Sequence, residues 1–221
     1  IGQGDPTPIY DAFKKAISSI ERQPVCAVNQ SISPDINGKS VTERMAVTQS
    51  KLVMGFKSDI NCQSKNYIPA VVFCDLYGGS PHSKLFQNVR EKLSLCYYCA
   101  ARYNRSNGIM MVDSGIQEEK AEQARAEIIK QLEEIKNGNI SNDELSASKA
   151  ALTDSARSVN DPQYALDSWY SQRSLDSDTV SPRQFAEMIK NVTKEQIIEA
   201  SKHFSLDTTY LLAPNGGKSD E

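Results

Sequence analysis

Apolar residues recur at two spacings along this 221-residue chain, every second position in some stretches and every third or fourth in others. The first spacing predicts strands and the second helices, because strand side chains alternate between faces while a helix turns about every 3.6 residues. Ile9, Phe13, Ile17 and Ile20 fall on one face of a predicted helix over roughly Pro8 to Arg22. Between Gln23 and Thr42, Pro24, Pro34 and Gly38 stand among small polar residues, which predicts a short strand around Val25 to Val28 and then a loop. Met45 to Phe56 reads as one strand, with Leu52, Met54 and Phe56 on one face and Val47 and Val53 on the other, so both faces have residues fit for cover.

Two helices are predicted next. The first runs from about Lys65 to Tyr77, with Pro69 in its opening turn and Gly78-Gly79 as its stop. The second starts with Ser80 as N-cap and Pro81 at the first helical position, carries Leu85, Phe86, Val89 and Leu93 as an apolar stripe, and delivers Arg90. Tyr97 to Tyr103 and Ile109 to Val112 read as a hairpin around Asn104 to Gly108, whose Asn-Gly step favours positive φ. A long helix is expected over Gln117 to Asn137, closed by Gly138.

Ser141 to Glu144 is a capping box opening a helix to about Val159, with Leu145, Leu152, Ala156 and Val159 inward. Asp161-Pro162 restarts the chain into a helix with Tyr164, Leu166, Trp169 and Tyr170. Ser181-Pro182 caps a short one with Phe185, Met188 and Ile189, and Thr193 to Gln196 opens the last, with Ile197, Ile198 and Phe204 inward. Thr208 to Leu212 reads as a final strand. Early strands and mostly late helices predict an α+β layer, with residues 1–40 as a lead-in, 41–215 as the main domain and 216–221 as a frayed tail.

Composition narrows the function classes. A net charge of −3 with mixed signs leaves no footprint for a phosphate backbone, so no nucleic acid is expected as partner. No apolar run approaches the roughly 20 residues of a membrane span, so no membrane partner is expected either. The chain starts at Ile1, as a piece of a longer chain or a processed form would. Five cysteines at low density suit reduced thiols and a cytoplasmic location rather than a disulfide scaffold.

Metal and nucleophile chemistry have little to stand on. A catalytic zinc takes three protein ligands, and the chain has only His82 and His203, in different predicted helices. Cys96-Tyr97-Tyr98-Cys99 matches the Cys-x-x-Cys pattern of redox pairs and half zinc sites. It follows a helix instead of opening one, has no second pair, and on a regular strand the two thiols face opposite ways, so ordinary thiols are expected. No Gly-x-Ser-x-Gly elbow or phosphate-cradling loop is present. Arg90 and Tyr97, seven residues apart across a helix-to-strand junction, are donors suited to a peptide carbonyl or its oxyanion. By spacing alone Arg90 serves equally to complement a helix C-terminus, and Tyr97 to pack as an aromatic.

Gly78-Gly79-Ser80-Pro81-His82-Ser83-Lys84-Leu85-Phe86 together with Arg90-Glu91-Lys92-Leu93-Ser94-Leu95-Cys96-Tyr97 resembles the C-terminal half of pitrilysin/insulinase-type zinc metallopeptidases. Val47 to Phe56 and Val192 to Ile197 are similar too, and the resemblance covers about Val41 to Ala213. It implies a mixed, largely antiparallel sheet covered by helices on one face. It also implies a non-metal-binding half that forms one wall of a peptide chamber, with Arg90 and Tyr97 matching the family's Arg and Tyr as substrate-binding residues. No catalytic or metal-ligating residue is implied in this chain, and any zinc belongs to the partner half. The implied partners are an extended peptide and an N-terminal half or sibling subunit. The Pro81 to Phe86 version looks closest to bacterial members without the zinc motif, which implies the alternative of a catalytically inactive subunit or scaffold.

Overall fold

A computed structural model describes residues 4–23, 35–174 and 180–215. The strand expected at Val25 to Val28, Cys26 with it, and the tail at 216–221 lie outside the described residues. Helix α1 spans Thr7–Ser18, strand β1 Lys39–Met45, β2 Ser50–Lys57, helix α2 Tyr67–Cys74, and the hairpin β3 Cys96–Asn104 and β4 Ile109–Ile116. Then come α3 Ala121–Lys136, α4 Asn142–Ser158, α5 Gln163–Ser174, α6 Pro182–Lys190, α7 Lys194–Lys202 and β5 Ser205–Pro214.

The five strands form one mixed sheet in the order β1-β5-β2-β4-β3. Only β1 and β5 pair in parallel; the other neighbours are antiparallel. Leu52, Met54 and Phe56 of β2, Ala101 of β3 and Met110, Val112 and Ile116 of β4 point to one face and are buried against the helices. Phe73 stacks on Tyr77 and packs against Phe204, with centroids 5.8 and 5.0 Å apart. The Tyr77 hydroxyl donates to the Ile128 carbonyl of α3 at 2.8 Å, so its burial leaves no polar atom unpaired.

The region expected to be one strand from Met45 to Phe56 is two strands. All of β1 is solvent-exposed and shows no apolar alternation. It exists because it pairs with β5 from the far end of the chain, a contact that no local pattern announces. The second face of β2 is only partly covered, Val53 being half-buried and Lys51 exposed.

Gly78-Gly79 is not a plain helix stop, since Asp75–Gly79 continues α2 as a wider π turn. Gly78 is required by close approach: a Cβ there would lie 2.7 Å from both the Cβ and the backbone nitrogen of Ala101 on β3. The next helical segment, Leu85–Lys92, is also π-helical, and it begins later than Ser80-Pro81 predicts. The Ser83 hydroxyl accepts from the Phe86 N–H at 3.4 Å, the role expected of Ser80. Leu93, expected inward, is exposed at the end of this segment, as are Tyr164 and Met188 on α5 and α6. The capping boxes at Ser141, Ser181 and Thr193 all form.

Candidate functional site

The π-helical segment Leu85–Lys92 and β3 meet at Ser94, which adopts φ +49°, a left-handed conformation uncommon for a residue with a Cβ. The bend is held by hydrogen bonds. Ser94 N–H donates to the Arg90 carbonyl at 3.1 Å, Leu95 N–H to the Val89 carbonyl at 3.0 Å, and Lys120 Nζ to the Ser94 carbonyl at 3.1 Å. The bend frames a cleft of about 410 Å³ lined by Arg90, Glu91, Ser94, Cys96, Tyr97 and Lys120.

Arg90 and Tyr97 therefore border one cleft. The Arg90 guanidinium lies over the Phe86 ring, 4.6 Å from its centroid, and its Nε is 3.7 Å from Glu91 Oε1. Stacking uses the flat face of a guanidinium, so its edge, Nε beside Glu91 included, is where N–H groups meet a ligand. Tyr97 is 59% exposed. It separates this cleft from a neighbouring groove of about 670 Å³ lined by Thr48, Gln49, Glu118 and Glu119 among others. There Glu118 is already paired with Arg44 at 2.6 Å.

The backbone explains how Tyr97 comes to stand out. Cys96 pairs with Ile116 but Tyr98 pairs with Gly115, so Tyr97 is the extra residue of a β-bulge. Gly115 has no Cβ because Tyr98 lies across it: an added Cβ would be 2.6 Å from the Tyr98 ring. The Tyr98 hydroxyl in turn donates to Asp113 Oδ1 at 3.1 Å.

The same bulge corrects the reading of the cysteines. Cys96 is opposite Ile116 and Cys99 opposite Ser114, two residues apart on β4, so both thiols share the core-facing side. The two thiols act on each other's titration. The neighbouring Cys99 thiol, assisted by Arg90, lowers the Cys96 thiol against the opposing effect of its partial burial. Cys99 is buried and pushed strongly upward, first by the neighbouring Cys96 thiol and then by desolvation.

The histidines come no closer to one another than the sequence suggests. His82 is exposed in the turn before the π-helical segment, and His203 Nδ1 sits 2.6 Å from Asp59 Oδ1 at the end of α7. Among the described residues no group of three or more His, Cys, Asp or Glu side chains is arranged to hold a metal ion. The three protein ligands that a catalytic zinc takes are thus not brought together among the described residues. Among the described residues no helix is long and apolar enough to cross a membrane. The cleft offers donors, Arg90, Tyr97 and Lys120, and can hold a carbonyl or carboxylate oxygen. Ser94 and Lys120 were not legible in the sequence, because a left-handed serine carries no glycine signal and Lys120 reaches the bend from the turn before α3.

The sequence profile described as the peptidase M16 inactive domain matches residues 1–152. A protein of Bacillus subtilis described as a probable inactive metalloprotease, YmfF, is 35% identical over 219 residues, which is 99% of this chain and 51% of that protein. The crystal structure of a conserved protein from Enterococcus faecalis superposes with a TM-score of 0.84 at 29% identity, covering 98% of this chain and 51% of that one. A Helicobacter pylori protease shares the fold at a TM-score of 0.81 and 16% identity, over 97% of this chain and 54% of that one. The chain thus spans about half the length of the relatives it matches.

Proposed function

The chain belongs to the peptidase M16 family and carries its inactive C-terminal domain, and from that premise we propose that it forms one wall of a chamber that grips an extended peptide. Arg90 and Tyr97 are the groups that orient a backbone carbonyl of that peptide. The observation carrying this reading is that a stacked guanidinium and a bulged-out phenol border the same cleft. The opposite wall comes from an N-terminal half or a sibling subunit, which also supplies any catalytic zinc. Half of the relatives' length lies outside the match, and α1 keeps an apolar face that is exposed among the described residues.

A second reading, a catalytically silent subunit that binds peptide or stabilises a partner, is favoured by the description of the Bacillus relative as probably inactive. One experiment tests both on the full-length assembly: binding and turnover of a labelled extended peptide, with Arg90→Ala and Tyr97→Phe. Loss of a charge-assisted hydrogen bond should weaken binding by about tenfold for Arg90→Ala, and less for Tyr97→Phe. If the assembly cleaves peptides, turnover should fall by about 10²-fold with Arg90→Ala, the scale of one lost oxyanion donor. Unchanged binding and turnover in both variants would remove the assigned role. Binding loss without any cleavage in the parent would select the silent subunit.

A further inference from the structure

We propose that Cys96 and Cys99 form a redox-active dithiol at the edge of the cleft, with Cys96 as the attacking thiol, Cys99 as the resolving thiol and a low-molecular-weight disulfide as the oxidant. The bulge carries the argument. It turns a Cys-x-x-Cys spacing, which on a regular strand separates the side chains, into neighbours on one face, opposite Ile116 and Ser114. Closing the bridge draws on the first residue of β3, where the ladder is already interrupted.

The two thiols have unequal surroundings, as attack followed by resolution requires. Cys96 is half-buried, lines the cleft and has the Arg90 charge beside it to favour thiolate. Cys99 is only 4% exposed, beyond the reach of an outside reagent but against the Cys96 sulfur. Cys74 is buried, and desolvation pushes its thiol up to about 12. Cys62 is half-buried.

The steps balance. The Cys96 thiolate attacks one sulfur of the small disulfide, a mixed disulfide forms, and one small thiolate leaves. Cys99 gives its proton to that thiolate or to solvent, attacks the Cys96 sulfur, and expels the second small thiolate. The protein loses two electrons and two protons, and the small disulfide becomes two thiols. The bridge then fixes the bulge that carries Tyr97, whether or not the cleft binds peptide.

The test is treatment of the folded chain with oxidised glutathione, an alkylating quench, and mass analysis of the tryptic peptide Leu93 to Arg102, which holds both cysteines. Wild type should give this peptide lighter by two hydrogens. Cys99→Ser should instead trap a glutathione adduct on Cys96, formed about tenfold faster than any on Cys62. Cys96→Ser should leave Cys99 unmodified. The proposal is overturned if wild type yields the peptide alkylated at both cysteines, or if Cys99→Ser is modified no faster at Cys96 than at Cys62.

Discussion

Helix α1 and the α2 region are both rich in apolar residues, yet they meet opposite fates. From Tyr67 to Gly78 nearly every side chain is buried between the sheet and α3, α6 and α7, with Phe73 and Tyr77 fully enclosed. In α1, Ile9, Tyr10 and Phe13 are 63 to 64% exposed, and no residue of the helix is buried. The difference lies in what each segment packs against. The α2 region is completed by its own chain and so carries the stability of the domain. The row of exposed aromatic and aliphatic residues on one face of α1 has no such cover among the described residues.

The sharpest test of this contrast sets Gly78→Ala against Phe13→Ser. The Gly78 variant forces a Cβ to within 2.7 Å of the Ala101 backbone, and overpacking of this kind costs about 1–3 kcal/mol, with this site at the upper end because backbone cannot rotate away. Phe13→Ser should change the stability of the chain alone by less than about 0.5 kcal/mol, as surface changes do. Urea midpoints at constant slope read both. Equal losses would break the comparison.

The next effect is on association. If a partner matching the other half of the relatives' length covers α1, Phe13→Ser removes a buried aromatic from that contact and should weaken it by at least about tenfold, given the roughly 1.5–3 kcal/mol of burying such a side chain. Titration of a separately produced N-terminal half measures it. Unchanged affinity would assign α1 to some other surface.

The legible parts of this molecule are those that short stretches decide. Asn107-Gly108 turns the hairpin with Gly108 at φ +70°, and Gly138 ends α3 at φ +82°. Ser141, Ser181 and Thr193 each announce a helix start and form their boxes. The illegible parts are set across long distances. Strand β1 depends on pairing with β5, Lys39 opposite Thr208. The bulge at Tyr97 depends on the offset between β3 and β4. The candidate cleft shares this limit: spacing alone could not rank Arg90 and Tyr97 above a helix-end cation and a packed ring, and it was the family resemblance that did. The cysteine geometry was misread for the same reason, since the bulge reverses which face Cys96 takes.

The smallest effect concerns how the exposed N-terminal stretch is tethered to the packed domain. Just before β1, the Asn37 N–H donates to Asp207 Oδ1 at 2.9 Å, and Lys57 Nζ lies 3.0 Å from the same oxygen. The tether is polar, unlike the apolar packing of α2. The Asn37 N–H, followed by the Thr208 hydroxyl and the Lys57 ammonium, holds the Asp207 carboxyl down to about 2. A carboxylate depressed in the folded state contributes fully above its unfolded value near 3.9 and loses that contribution as pH falls through about 2. Amide exchange at Asn37, corrected for the intrinsic pH dependence of exchange, should therefore lose protection as pH drops from about 4 to 2, while amides of α2 stay protected. Asp207→Asn should abolish this pH dependence and leave Asn37 weakly protected throughout. A pH response that survives the substitution would mean that another group anchors the segment, and that the boundary between the two regions lies elsewhere than at β5.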